Sequence, residues 1–213
     1  MFGQNKIAMI VAEFVGTFTL ASVVLAMTGR TSFPYFAAVA AGATLGLFSL
    51  LVAAKEWAQL NPAVTVGLWT LRKIETTKAV VTIAAQFLGG AVAWRLNEYL
   101  LNTTLKSTAN AKFDWRVFVA EAVGTLIFGY GVVAALQRGY QGFEKAFTVG
   151  ASLAVGILIA SFASNGLLNP AVALGVHSWS FVYVAAPILG AVVGMNLYML
   201  LNAPLPKSIS KRK

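Results

Sequence analysis

Asn61-Pro62-Ala63-Val64 and Asn169-Pro170-Ala171-Val172 are the two stretches that decide how this chain folds. Each closes a long apolar stretch and opens a short apolar run, so each reads as a helix that starts where a membrane-spanning segment has just finished. Asn caps a first helical turn by accepting backbone N–H groups on its side-chain oxygen. Pro62 and Pro170 fall at the first helical position, where a missing N–H costs nothing, and Ala63 and Ala171 continue the helix.

One such tripeptide is most simply an ordinary helix start, but the spacing of the pair argues for more. Residue 169 less residue 61 is 108, and Ala12-Glu13-Phe14-Val15-Gly16-Thr17 recurs at the same offset as Ala120-Glu121-Ala122-Val123-Gly124-Thr125. Gly42 and Gly150 pair in the same way, as do Gly67 and Gly175. The chain is a tandem duplication with one motif per copy. The repeats run over about 1–100 and 115–203, within a single domain over 1–213.

Composition sets the class. The 213 residues are 58% hydrophobic and 11% charged, with a mean hydropathy of +0.75, which is the balance of an integral membrane protein. The net charge of +9 would point to nucleic acid in a soluble chain. Here the basic residues lie between apolar runs and at the C-terminus, where they orient helices and meet anionic lipid, so no nucleic-acid partner is expected. The absence of cysteine excludes disulfides and thiolate metal sites. The sequence has no metal-ligand cluster, no nucleophile with a base and no phosphate loop, so neither an enzyme nor a cofactor is expected. The first apolar run lacks a small-residue cleavage site and matches a span in the second copy, which reads as a retained helix.

Six stretches of about 20 apolar residues are long enough to cross the hydrocarbon layer. They fall at roughly 7–28, 36–54, 77–100, 115–137, 145–163 and 181–201. Two more, about 62–71 and 170–178, are too short: at 1.5 Å per residue, ten residues reach about 15 Å, roughly half the membrane. They are expected to be re-entrant half-helices. The predicted fold is therefore all-α, with six transmembrane helices and two half-helices. Three crossings per repeat is an odd number, so the second copy enters from the opposite side and the repeats are inverted.

With the N-terminus inside, the inner segments hold Lys6, Lys55, Arg72, Lys73, Lys78, Arg138, Lys145, Lys207, Lys211, Arg212 and Lys213. The outer ones hold Arg30, Arg95, Lys106, Lys112 and Arg116. That asymmetry predicts both termini in the cytoplasm and a multi-pass protein of the plasma (cytoplasmic) membrane. The half-helices then dip in from opposite sides and meet by their N-terminal ends near the midplane. The polar stretch 101–114 joins the repeats across the outer face, and the basic tail 204–213 lies on the cytoplasmic side. Trp94, Tyr99 and Trp115 are expected to anchor the outer interface, and Trp57 and Trp69 the inner one. Gly42 with Gly46, Gly89 with Gly90 and Gly190 with Gly194 are the small pairs of closely packed spans.

A half-helix that ends inside the membrane frees backbone groups that must find water or protein partners. Glu13 and Glu121, in the first span of each repeat, are suitable acceptors and are expected to be structural rather than proton-relaying. Converging N-termini put positive potential at the midplane. Asn61 and Asn169 can cap their own helices while turning amide N–H groups toward a shared pore, an arrangement that passes neutral molecules and repels cations.

Paired Asn-Pro-Ala motifs in inverted repeats, with Glu-x-x-Gly-Thr in the first span of each, resemble the major intrinsic protein family of aquaporins and glycerol facilitators. The stretches Ala85-Gln86-Phe87-Leu88-Gly89-Gly90-Ala91 and Pro187-Ile188-Leu189-Gly190-Ala191 also resemble its patterns. The resemblance covers nearly the whole chain. It implies a right-handed six-helix bundle, a pore through each subunit and a homotetramer in the bilayer, with water and small neutral solutes as the transported partners.

The departures are as informative. The family's outer constriction, carried over by counting from the motifs, falls on Ala41, Ile157, Gly166 and Val172. None is aromatic or charged. Val172 stands where the resemblance implies arginine, Ile157 where water-selective members carry histidine, and Ala173 where the glycerol branch carries aspartate. An apolar, unguarded neck of this kind resembles the plant small basic intrinsic proteins and other divergent members. Small side chains at Ala41 and Gly166 predict a wide neck for larger neutral solutes, while the lack of polar groups predicts poor stabilisation of water. Lys55-Glu56-Trp57-Ala58-Gln59 stands where the family commonly has a His- and Gly-rich stretch, with Lys55 and Glu56 read as solvated. His177 is expected on the outer surface rather than in a gate. Beside the passive channel stand three other readings: an ion channel, a secondary transporter and a closed membrane scaffold.

Overall fold

In the computed structural model, which describes residues 4–28, 34–52, 58–107 and 112–202, every regular element among the described residues is helical. The helices are α1 (Gln4–Thr28), α2 (Pro34–Leu51), α3 (Pro62–Thr70), α4 (Thr76–Leu101), α5 (Trp115–Gln137), α6 (Gly142–Ala160), α7 (Pro170–Gly175) and α8 (Phe181–Leu201). Six are long and apolar enough to cross a membrane, and α3 and α7 are not. Lys55, Glu56, Trp57, Arg30 and the tail from Pro204 lie outside the described residues.

α1 starts at Gln4, three residues before the expected 7, and both ends of α2 and α6 fall earlier than expected. α2 starts at Pro34, whose ring suits a first helical position, and ends three residues before the expected 54. α6 starts at Gly142 because Gln141 is extended (φ −125°, ψ 164°), and it too ends early, at Ala160. One consequence is that Lys145, expected at the inner end of a span, sits one turn inside it and is only 3% exposed.

The half-helices stop for a shared reason. After α3, Arg72 turns left-handed (φ 56°); its N–H meets the Trp69 carbonyl at 2.9 Å, and the Lys73 N–H meets the Leu68 carbonyl at 2.9 Å. After α7, His177 does the same (φ 55°), with its N–H on Leu174 O at 3.0 Å and Ser178 N–H on Ala173 O at 2.8 Å. This closing pair of bonds satisfies the last carbonyls of a helix. It comes after nine residues in α3 but after six in α7, which is why α7 falls short of the expected 178.

Glycines let the spans meet backbone to backbone. Gly42 on α2 and Gly150 on α6 face each other, each where a side chain on it would strike the other's carbonyl. Gly124 on α5 and Gly156 on α6 are reciprocal in the same way. Each half-helix then packs on the last span of the opposite repeat, α3 against α8 and α7 against α4. Gly67 makes room for Met195, and Gly90 for the backbone at Ala171. The outer faces stay apolar: Leu51, Val80, Leu88, Phe162 and Leu200 are all more than half exposed. Such a surface suits lipid chains and would be a liability in water.

Candidate functional site

The two motifs meet inside the bundle through a reciprocal exchange. Asn61 is extended (φ −155°, ψ 116°) ahead of α3; its Oδ1 accepts from Ala63 N–H at 2.8 Å, and its Nδ2 donates to the Leu168 carbonyl at 2.9 Å. Asn169 (φ −150°, ψ 109°) accepts from Ala171 N–H at 3.0 Å and Val172 N–H at 3.3 Å, and its Nδ2 donates to the Leu60 carbonyl at 2.7 Å. Each asparagine thus caps its own half-helix and holds the residue before the other. An amide nitrogen carries two N–H groups, and these bonds commit one from each side chain.

Leu60 and Leu168 are the residues that sequence reading missed. Both have φ 51°, a left-handed conformation that costs an ordinary side chain on the order of 1 kcal/mol or more. What holds them is a carboxylate behind each. Glu13 accepts from Gln59 N–H at 2.7 Å and Leu60 N–H at 2.8 Å. Glu121 accepts from Leu167 N–H at 3.0 Å and Leu168 N–H at 2.7 Å. The left-handed twist turns each leucine N–H back to its glutamate and its C=O forward to the other repeat's asparagine. The shared dipeptide Leu-Asn at 60–61 and 168–169 was the only sequence signal.

The two acids have different further partners. Gln86 on α4 donates to Glu13 Oε2 at 2.7 Å and bonds Thr65, whose hydroxyl reaches Asn61 O at 3.1 Å. In the second repeat the position matching Gln86 is Gly194, and the role falls to the loop itself: Ser164 Oγ donates to Glu121 Oε1 at 2.6 Å and accepts from Gly166 N–H at 2.9 Å. Pro62, Ala63, Pro170 and Ala171 are all buried in the first turns of α3 and α7.

Of the four positions expected at the outer neck, Ala41, Ile157 and Val172 are 1%, 6% and 1% exposed and belong to one buried apolar cluster. Gly166 is left-handed (φ 61°) and lies against Ile157: a methyl group on it would stand 3.0 Å from the Ile157 carbonyl oxygen.

The end of α7 departs from the exposed surface expected there. His177 is half-buried and stacks on Trp94 with ring centres 4.5 Å apart, and its Nδ1 faces the Leu105 carbonyl. The Arg95 guanidinium covers the same Trp94 ring at 4.3 Å, and Glu98 accepts from Leu105 N–H at 3.0 Å. His177 therefore ties the stretch after α4 to the end of α7, and Trp94 is covered by His177 and Arg95 instead of standing free as an interface anchor.

The sequence model of the major intrinsic protein family matches residues 4–198. Probable aquaporin NIP7-1 of Arabidopsis thaliana is 28% identical over 226 residues, covering 97% of this chain and 82% of its own. Aquaporin AqpM of Methanothermobacter thermautotrophicus is 28% identical over 237 residues, covering 91% and 96%. The X-ray structure of the aquaglyceroporin from Plasmodium falciparum has the same fold, with a TM-score of 0.69, 19% identity, and coverage of 96% of this chain and 99% of that one.

Proposed function

Because this chain belongs to the major intrinsic protein family, we propose that the meeting point of α3 and α7 is the centre of a pore, with the second amide N–H groups of Asn61 and Asn169 as its donors. The protein is an integral, multi-pass membrane protein and a passive channel for water and small uncharged solutes. The observation that carries the pore assignment is the reciprocal bonding of Asn61 to Leu168 and Asn169 to Leu60, which fixes both amides at one level between the repeats. Two helix N-termini facing that level repel cations, while each Oδ1 is turned to its own half-helix and the second amide N–H groups are offered to a passing molecule.

The outer neck is assigned to Ala41, Ile157, Gly166 and Val172. What supports it is that Ala41, Ile157 and Val172 belong to one cluster inside the bundle and that Gly166 lies against Ile157. Glu13 and Glu121 are assigned a structural role, supported by the loop amides on their oxygens. The orientation with both termini in the cytoplasm follows from the bias of basic residues toward the inner segments, and the homotetramer from the family resemblance.

Stopped-flow light scattering on proteoliposomes tests the function directly. Fast water flux with low activation energy, together with passage of urea or glycerol, is the expected result, and vesicles no faster than empty ones would overturn it. Two variants test the pore. Val172→Arg is expected to cut urea and glycerol passage about tenfold or more while water still passes, since a long cation enters a neck lined by small apolar groups; unchanged solute passage would remove Val172 from the neck. Asn61→Asp or Asn169→Asp puts a carboxylate where the donors are, and cation conductance in planar bilayers should rise above that of the parent channel. Intact cation exclusion in both would contradict the donor role.

A further inference from the structure

The repeats correspond in their contacts as well as in sequence. Gly16 lies against the Leu60 side chain as Gly124 lies against that of Leu168, and Gly42 and Gly150 each face the other's carbonyl. Asn61 bonds Leu168 as Asn169 bonds Leu60. Residues 108 positions apart therefore stand in equivalent places on opposite sides of the asparagine pair. Taken through that offset, Ala41, Ile157, Gly166 and Val172 become Val149, Ser49, Ala58 and Val64. The helices agree on the level: Ser49 lies eight residues beyond Ala41 on α2, and Val149 eight residues before Ile157 on α6, about 12 Å along each axis. A path that enters by the outer neck and passes the asparagines must leave through this second level.

Ser49, Ala58, Val64 and Val149 are all buried, and the three apolar ones belong to the same cluster as Ala41, Ile157 and Val172. The two levels differ in chemistry. A hydroxyl stands at Ser49, 4% exposed, where the outer level has the Ile157 side chain. Beside Ala58, Gln59 stands where the other repeat has Leu167, and it too is 4% exposed. Glu13 holds the Gln59 N–H, but the side-chain Oε1 is buried and no described residue donates to it. Buried acceptors take a hydrogen bond from protein or from water, and this one finds no donor among the described residues.

We infer that Ser49, Ala58, Val64 and Val149 form an inner neck, and that its polar wall, Ser49 with Gln59 beside it, selects the solute in place of the apolar outer neck. The solutes it favours are small, neutral and rich in N–H or O–H donors, such as urea and polyols. This rests on the assignment of the outer neck, of which the inner one is the image. A water molecule arrives hydrogen-bonded to other waters in file, whereas a solute wide enough to fill a neck excludes them and depends on the wall. It crosses an apolar level first, then the asparagine donors, then a level that offers acceptors.

The chain has no cysteine, so the parent channel should be insensitive to mercurials and single cysteines can report on the wall. Full-length Ser49→Cys and Val172→Cys are reconstituted in proteoliposomes and treated on both sides with p-chloromercuribenzenesulfonate. Both are expected to lose water flux at least about fivefold and to regain it with a thiol reductant. Selection is read from urea, glycerol and water permeability. Ser49→Ala and Gln59→Leu, the second of which copies the outer repeat, should each lower the urea-to-water and glycerol-to-water ratios about threefold to tenfold, the equivalent of one neutral hydrogen bond. Two separate positions keep the result from depending on one variant folding. Block at Val172→Cys without block at Ser49→Cys would leave the outer neck standing and overturn the inner one. No block at either would overturn both. Block at Ser49→Cys with parental ratios in Ser49→Ala and Gln59→Leu would overturn the selective role.

Discussion

Glu121→Ala is expected to leave a protein that neither accumulates in the membrane nor conducts. The carboxylate receives Leu167 N–H, Leu168 N–H and the Ser164 hydroxyl, and all of its neighbours are buried or half-buried. Alanine removes the acceptor and leaves the donors, and each buried donor without a partner costs about 1–3 kcal/mol. Two amides alone bring the loss to several kcal/mol, comparable with the whole stability of many domains. The damage then spreads, because Leu168 is left-handed only while its N–H is held, and its carbonyl is the acceptor for Asn61. Glu121→Gln should be milder: one amide oxygen still accepts, while the amide NH2 opposes one backbone N–H. Membrane yield and water permeability of the two variants would check this. Alanine behaving like the parent would mean that the loop amides find other partners.

Gly90→Val is expected to be nearly as severe, for a steric reason. A side chain at Gly90 would strike the Ala171 carbonyl, and Gly175 on the same half-helix has the Ala21 methyl and the Gly90 backbone against it. Neither obstacle can swing aside, since both belong to backbone or to a group fixed on it. Overpacking of this kind typically costs about 1–3 kcal/mol and sometimes more. Here relief requires α7 to leave α4, which carries Asn169 away from Leu60. Gly46→Ala provides the contrast, because the nearest atom there, the Ala146 carbonyl oxygen, would stand 3.1 Å from the new methyl group instead of colliding with it. Thermal stability in detergent should fall steeply for Gly90→Val and much less for Gly46→Ala. Equal stability of the two would show that α7 has slack.

Most of the architecture was legible because membrane physics leaves few choices. Long apolar runs must be helices, short ones bounded by Asn-Pro cannot span, and an odd number of crossings inverts the second copy. The need for buried acceptors likewise pointed to Glu13 and Glu121, whose oxygens lie on the loop amides. The leucines were not legible, since nothing in a leucine side chain asks for positive φ; only the partners on both sides impose it. The unequal support of the two acids was hidden as well. Gln86 and Ser164 occupy unrelated positions in their repeats, so the 108-residue offset that revealed the duplication could not relate them. His177 misled because a lone histidine near a helix end carries no sign that a tryptophan one span away will cover it.

The crossed bonds between Asn61 and Leu168 also set a schedule for biosynthesis. The two residues lie 107 positions apart in the chain. At about 5–20 residues per second, a ribosome needs roughly 5–20 s to supply the partner. During that interval the first half-helix has its cap but not its acceptor across the repeat, and it must wait at the edge of the insertion machinery or enter the bilayer incompletely satisfied. A nascent chain halted between the repeats should therefore keep α3 open to chemical labelling, and supplying the second repeat as a separate polypeptide should close it.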